Sequence, residues 1–191
     1  MQSAARCLQE ESVKALLALS GAIDRLNGAL GRVADACVFL AVVISAANAM
    51  MRYAFDISSN AWLEIQWYLF AAMVLLGASH TLRMNEHVRV DLVYMQLSER
   101  GREWVDILGT LVFLIPSMLL IAWFGWPFFR ESWSIQEVSM NAGGLIRWPV
   151  KFLLVAGFVL VALQGVSEII KRVAALRGYV RIDTRYERPL Q

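Results

Sequence analysis

Four long apolar runs are the feature that most constrains how this chain folds. They cover residues 33–51, 61–82, 107–129 and 145–170, and only short polar stretches separate them. A bilayer hydrocarbon core about 30 Å thick requires roughly 20 residues of helix, at about 1.5 Å per residue. Each run meets that length. The sequence therefore predicts an all-α integral membrane protein with four transmembrane helices.

The composition and the connections point to a single membrane domain. Hydrophobic residues make up 58% of the 191 residues, which is above the roughly 45–50% of soluble domains. The connections between the runs are too short to form a second folded domain. We predict a four-helix membrane domain at residues 33–170, preceded by an N-terminal segment (1–32) and followed by a basic cytoplasmic tail (171–191).

The N-terminal segment, 1–32, mixes charged and apolar residues at a helical period. Its apolar residues recur every three to four positions, at Val13, Leu16, Leu17, Ile23, Leu26 and Leu30. This pattern favours an amphipathic helix that lies in the membrane interface or against a partner. A soluble tail is the alternative.

Lysine and arginine are distributed unevenly over the polar stretches. The N-terminal segment, the second connection and the C-terminal tail are rich in them, whereas the first and third connections are poor. Because positive residues stay on the cytoplasmic side, we expect both termini inside the cell. Anionic lipid headgroups suffice as partners for the basic tails, so we expect contact with membrane lipids and none with nucleic acid.

Ionisable residues at the ends of the runs need a partner, water or the interface. Asn48 and Arg52 share a helix face at the outer end of run one, and Glu64 opens run two after a short connection. This spacing favours an Arg52–Glu64 ion pair, with separate contacts to water as the alternative. Near the end of run four, Glu168 precedes Lys171 by three residues and Arg172 by four, which predicts helix-surface pairs.

Residues that carry chemistry are sparse inside the runs. Three runs have no central charge, and run two has only Gln66 and His80, both off-centre. Transporter cores usually contain broken helices with polar groups at mid-depth, whereas Pro116 is the one mid-span proline here. We identify no zinc cluster, phosphate-binding glycine loop or nucleophile–base spacing. We therefore expect a scaffold with no catalytic, cofactor or metal site.

The two histidines, His80 and His87, bear on the alternative function, a membrane anchor subunit of a redox enzyme complex. A haem-binding anchor commonly supplies two axial histidines from different helices. Here both histidines come from one segment, an arrangement that disfavours clamping one iron from opposite sides.

Several short motifs, taken in order, carry a family resemblance. The matching positions are Asn48, Arg52, Tyr53, Phe55, Trp62, Glu64, Tyr68, Leu69, Phe70, Leu82, Arg83, Glu86, His87, Arg89, Val90 and Asp91. The third connection, from Glu137 to Gly144 and then Trp148-Pro149, adds to them. Together they resemble the small permease (Q, or DctQ-like) subunit of tripartite ATP-independent periplasmic (TRAP) transporters over residues 30–172. Asn85 stands where that family often has glycine, and a left-handed turn suits asparagine as well.

The resemblance implies a role in secondary transport across the bacterial inner membrane. In such systems a periplasmic solute-binding protein delivers an organic acid or related solute, and uptake is driven by an ion gradient. The large permease subunit carries the substrate and ion sites and moves as an elevator. The resemblance implies that the small subunit braces this permease.

Three groups of residues are candidates for structural or partner contacts. The stretch from His87 to Asp91 is expected to be structural, with Arg89 and Asp91 fixing the turn after run two, which leads into an amphipathic segment at 88–97. Changing Arg83, Arg89 or Asp91 should lower the yield of the complex. Arg52 and Glu64 lie where the binding protein would dock. Small residues allow close approach of helices in lipid, so we expect contacts with the large subunit at Ala71, Ala72, Gly77, Ala78, Gly157 and Gly165.

Overall fold

The computed structural model describes residues 2–57, 59–85 and 96–180, and helices dominate this part of the chain. The helices are α1 (Gln2–Phe55), α2 (Asn60–Met84), α3 (Glu99–Gly109), α4 (Ile115–Ser134) and α5 (Trp148–Leu176). A π-helical turn at Thr110–Leu114 joins α3 to α4. In the described ranges, the β-structure is a single antiparallel bridge between Val138 and Ile146.

Four helical segments are long and apolar enough to cross a bilayer: Glu11–Phe55, Asn60–Met84, Arg100–Ser134 and Trp148–Leu176. The predicted all-α fold with four membrane spans is therefore confirmed. The side-chain distribution agrees with lipid as the solvent, because the largest fully buried side chains are all polar. They are Gln164, Asn27, Ser20, Ser79, Ser132 and Ser167. Large apolar side chains such as Phe39, Phe113 and Trp123 are instead about 70% exposed.

The N-terminal segment is not a separate helix in the structure. Helix α1 runs without a break from Gln2 to Phe55, so the division expected at residue 33 is absent. The reason is a continuous stripe of buried residues at helical spacing that crosses this position, formed by Ser20, Ile23, Asn27, Ala34, Cys37 and Ala41. Of the predicted apolar face, Ile23 is buried and Val13, Leu17 and Leu30 are half-buried, whereas Leu16 and Leu26 are about half exposed.

The end of α2 matches the turn expected from the sequence. Asn85 has φ 61°, in the left-handed region, and its backbone N–H donates to the Leu82 carbonyl at 3.1 Å. Asparagine adopts this conformation more readily than most residues, so the absent glycine is not required. His87, Arg89 and Asp91 lie outside the described residues, as does most of the expected amphipathic segment at 88–97.

Pro116 explains the π-helical turn between α3 and α4. Proline has no N–H, and its ring clashes with the carbonyl four residues earlier. The helix widens just before it, and the N–H of Ile115 donates to the Thr110 carbonyl, five residues back. Gly165 of α5 lies against this turn, since a Cβ on it would be 3.0–3.2 Å from Leu114, Thr110 and Ile115.

Helix α5 is the centre of the arrangement, and it packs against α1, α2 and α4. Helix α1 also packs along α2, whereas α4 packs extensively only against α5 and the π-helical turn among the described elements. The molecule is therefore a triangle of α1, α2 and α5 with α4 attached at one side. This leaves a groove between α2 and α4, with α5 as its floor.

The glycines expected to contact another subunit instead serve contacts within this chain. A Cβ on Gly157 would lie 2.8–2.9 Å from the Cβ and carbonyl oxygen of Leu75, so α2 and α5 touch there. A Cβ on Gly77 would lie 3.6 Å from Ala34 of α1, and Ala72 is also buried. Close helix approach at these residues therefore occurs within this chain, and contact of the small residues with the large subunit stays a prediction.

Candidate functional site

One face of α2 holds the connection between α4 and α5. Asn60, Glu64 and Tyr68 recur every four residues, and each binds that connection. Asn60 Nδ2 donates to the Ala142 carbonyl at 3.2 Å, and the Tyr68 hydroxyl donates to the Ile146 carbonyl at 3.0 Å. We call these three residues, together with residues 137–147, the Glu64 cluster.

Glu64 is the centre of this cluster and is only 3% exposed. Its Oε1 accepts hydrogen bonds from the Ser139 hydroxyl and, at 2.8 Å, from Asn141 Nδ2. Its Oε2 accepts from the backbone N–H of Leu145 at 2.7 Å. Hydrogen bonds to an ionised carboxylate are stronger than neutral ones, so this side chain fixes the conformation of the connection.

The expected Arg52–Glu64 pair is not what the structure shows. The Glu64 carboxylate is occupied by the connection between α4 and α5, and the Arg52 guanidinium lies 5.4 Å from the ring centroid of Tyr53. Arg52 is exposed, and Asn48 is half-buried on the same helix. Proximity along the sequence suggested Arg52, but a backbone N–H and two side-chain donors from a distant segment give Glu64 more directed bonds.

A second carboxylate, Glu137, secures the other end of the same connection. Its Oε2 pairs with Lys151 Nζ, and its Oε1 lies 3.9 Å from Arg147 Nη1. Lys151 Nζ also lies 3.8 Å from the ring centroid of Phe128. The hydrogen bond from Lys151 and the nearby positive charges hold the pKa of Glu137 below its ordinary value.

At the opposite end of the helices, Asp24 of α1 binds three residues of α5. Its Oδ1 accepts from Gln164 Nε2 and from the Ser167 hydroxyl, both at 2.8 Å. Its Oδ2 lies 3.1 Å from Lys171 Nζ. These four residues, with Ser20, Asn27 and Glu168, are called the Asp24 cluster below.

The interior of the Asp24 cluster is fully buried. Asn27 and Gln164 are both 0% exposed, and Asn27 Nδ2 donates to Gln164 Oε1 at 2.6 Å. The hydroxyls of Ser20 and Ser167 lie 2.7 Å apart. Sequence reasoning missed this network. The available signal was the shared spacing, because polar residues recur every three or four positions in α1 (20, 24, 27) and in α5 (164, 167, 171).

Arg83 and His80 join α2 to the same region of α1. Arg83 Nη1 donates to the Asp24 carbonyl at 2.8 Å. A Cβ on Gly28 would overlap Arg83 Nη1, and one on Gly31 would lie 2.6 Å from the His80 ring. Both side chains therefore use the space that the two glycines leave. This contact is in keeping with a structural role for Arg83 inside the subunit.

Arg172 closes the same end by pairing with α3. Its Nη1 lies 3.1 Å from Glu103 Oε2 and 2.7 Å from Asp106 Oδ2. The predicted Glu168–Lys171 pair is confirmed, whereas the predicted pairing of Glu168 with Arg172 is wrong. Arg172 pairs with two carboxylates of α3, whereas Glu168 would offer it only one.

Both clusters consist of groups that bind one another at the ends of the helices. Within the described part of the chain, no group of three His, Cys, Asp or Glu side chains is arranged to hold a metal ion. The geometry fixes the helices to one another. Charged or polar bonds join α1 and α3 to α5, α2 to α1, and the α4–α5 connection to α2.

Comparison with known protein families matches residues 24–175 to the family described as tripartite ATP-independent periplasmic transporters, DctQ component. Comparisons with curated proteins and with solved structures gave no match. The matched region contains most of each of the four spans, the Glu64 cluster and, except for Ser20, the Asp24 cluster. With the resemblance found from the motifs, the match is decisive: the chain belongs to the DctQ component family of tripartite ATP-independent periplasmic transporters.

Proposed function

We propose that this chain is the small membrane subunit that braces the large permease of a TRAP transporter. In this role it takes part in ion-gradient-driven uptake of an organic acid or related solute that a periplasmic binding protein delivers. The observation that carries the proposal is the pair of polar clusters, which fix the helices to one another at both ends. Family membership supplies the transporter context.

The physical reason for a brace is mechanical. A permease that works as an elevator needs one part to stay fixed in the membrane while another part slides, and a wider fixed part resists tilting. The Asp24 cluster locks α1 to α5, and Arg172 locks α3 to α5. Bonds of this kind limit relative motion between helices, since each helix would have to expose charged groups to lipid before moving.

We further propose that the Asp24 cluster faces the cytoplasm and the Glu64 cluster faces the periplasm, with both termini inside. The distribution of lysine and arginine supports this orientation. A cysteine at Met140, which is 99% exposed in the α4–α5 connection, should react with a membrane-impermeant maleimide in intact cells. A cysteine at Gly178 should react only after lysis, in a background lacking the two native cysteines. The opposite labelling pattern would exclude this orientation.

Co-purification tests the brace directly. The tagged chain, extracted from its native cells in mild detergent, should recover a large permease in near-equal amount, and deleting the chain should abolish solute uptake. Recovery of a haem- or flavin-bearing enzyme in place of a permease would overturn the proposal. That result would require His80 and His87 to be reinterpreted as part of a cofactor site.

Docking of the binding protein involves Arg52 rather than Glu64 in this proposal. Glu64 is buried and bonded within the chain, whereas Arg52 is exposed near the end of α1. The Arg52→Ala variant should assemble normally and weaken docking of the binding protein, as measured by uptake at limiting binding protein. Normal docking by an assembled Arg52→Ala complex would remove Arg52 from that interface.

A further inference from the structure

The groove between α2 and α4 ends in a cavity near the Glu64 cluster. Trp67 and Tyr68 of α2 face Phe128 of α4 across it, and Val150 and Leu154 of α5 form its floor. The cavity has a volume of about 320 Å³. We call this feature the α2–α4 groove. Aromatic and apolar side chains form most of the lining, and Glu64, Arg147 and Lys151 form the rest.

The walls of the groove carry large side chains that this chain leaves half exposed. Trp67 is 64% exposed and Phe128 is 52% exposed. On α2 the same face continues at Phe70 and Val74, which are three and seven residues beyond Trp67 and are 57% and 58% exposed. Helices pack by inserting side chains into such depressions, so these exposed side chains offer a surface for a further helix.

The position of α4 favours a protein helix over lipid as the occupant. Among the described elements, α4 packs extensively only against α5 and its own π-helical turn. A helix seated between α2 and α4 would contact both walls and the floor, and would hold α4 from its second side. Fluid acyl chains would fill the same space without fixing α4, which a rigid brace requires.

Charge at the end of the groove specifies the occupant further. The Arg147 side chain lines the cavity and is 44% exposed. Its contacts are long, at 3.9 Å to Glu137 Oε1 and 3.4 Å to the Ser139 hydroxyl. A guanidinium offers five N–H donors in a planar fork that matches a carboxylate. Donors of Arg147 are therefore available to an acceptor that enters from the groove.

We propose that the α2–α4 groove receives an apolar transmembrane helix of the large permease, with a carboxylate near its end that pairs with Arg147. This inference rests on the proposed function, because it names where the braced partner attaches. The groove is thus the primary contact surface of the subunit, and the exposed outer face of α1 is covered by lipid.

Site-specific photo-cross-linking in native membranes tests the proposal. A photoreactive phenylalanine analogue is placed at Trp67 in the groove or, as matched controls, at Met50 and Phe39 on the outer face of α1. All three positions are 64–71% exposed. Trp67 should give a covalent adduct with the large permease, and the two controls should not. Adducts from Met50 or Phe39 alone, or only lipid adducts from Trp67, would overturn it.

Two tryptophan substitutions on α5 provide a second test that does not depend on cross-linking. Val150→Trp fills the floor of the groove, whereas Val159→Trp adds the same side chain at a position that is 37% exposed. Val150→Trp should lower recovery of the large permease about tenfold, and Val159→Trp should leave it unchanged. Equal recovery with both variants would refute the groove as the attachment site.

The two proposals fail in different ways. If the wild-type chain recovers no large permease, both the brace and its attachment site are refuted. If the permease is recovered but cross-links only to α1, the brace stands and the groove does not.

Discussion

Replacing Gln164 by methionine removes a buried side chain of the Asp24 cluster that makes three hydrogen bonds, while keeping a similar shape. Gln164 accepts from Asn27 and donates to Asp24 and Glu168, at distances of 2.6–3.0 Å. Methionine makes none of these bonds. Asn27, which is 0% exposed and whose Oδ1 already lacks a hydrogen-bond partner within the described structure, would then have no partner.

The size of the effect follows from the lost bonds, two of which join α1 to α5, whereas the bond to Glu168 lies within α5. Hydrogen bonds between membrane helices contribute about 0.6–1.7 kcal/mol each. Loss of the two interhelical bonds in Gln164→Met should therefore lower the free energy of unfolding by about 1–3 kcal/mol. Adding Asn27→Leu removes the orphaned amide. The double variant should therefore recover about 1 kcal/mol or more relative to Gln164→Met, because replacing both partners by apolar groups costs less than stranding one.

Equilibrium unfolding of the purified subunit in mixed detergent micelles, followed by circular dichroism, would measure these differences. The control is Leu163→Met on the neighbouring, 39% exposed position of α5, which should change stability by less than about 0.5 kcal/mol. The reasoning is refuted if Gln164→Met is as stable as the control, or if the double variant is less stable than Gln164→Met.

Three further predictions address helix contacts and charge. Gly157→Ala places a Cβ 2.9 Å from a carbonyl oxygen of α2 and should lower the free energy of unfolding by about 1–3 kcal/mol. Gly109→Ala meets open space and should raise it by up to about 1 kcal/mol. Equal effects of the two variants in thermal unfolding would contradict this. Arg172→Met removes a guanidinium that pairs with two mostly buried carboxylates and should cost about 3 kcal/mol in the same assay, and wild-type stability would disprove it. Because the folded-state pKa of Glu137 is lowered, its pairing with Lys151 stabilises the fold above the unfolded pKa of about 4.3 and is lost as pH falls through the folded pKa. Glu137→Gln should flatten the fall in melting temperature in that acidic range, and an unchanged pH profile would show that this pair contributes nothing.

In the third span, hydropathy predicted that a helix is present but did not predict where it begins and ends. The apolar run predicted residues 107–129, whereas helical structure extends from Glu99 to Ser134 through the π-helical turn. Glu103 and Asp106 end the apolar run but not the helix, because both carboxylates pair with Arg172 of α5. That partner lies far away in the sequence, so the run by itself could not indicate that the helix begins earlier.

Some of the residues that form the two polar clusters were singled out from the sequence, and others were not. Arg83 was expected to be structural from its place at the end of run two, and it does bind the backbone of α1. Glu64 was singled out with Arg52 as its expected partner, whereas its carboxylate binds Ser139, Asn141 and Leu145. Asn27 and Gln164 were not singled out, because one polar residue inside an amphipathic segment and one inside an apolar run have no visible partner in a linear sequence.

The sequence by itself determined that the chain is helical, that it spans a membrane four times and which family its motifs indicate. Those properties depend on local hydropathy, run length and short motifs, all of which are read within a single segment. Only the tertiary structure decided which polar groups meet, because Ser20 and Ser167 bond across 147 positions. It also decided that α4 stands apart from α2, since helix placement depends on close approaches such as Gly157 to Leu75. The groove between those helices therefore follows from packing rather than from hydropathy.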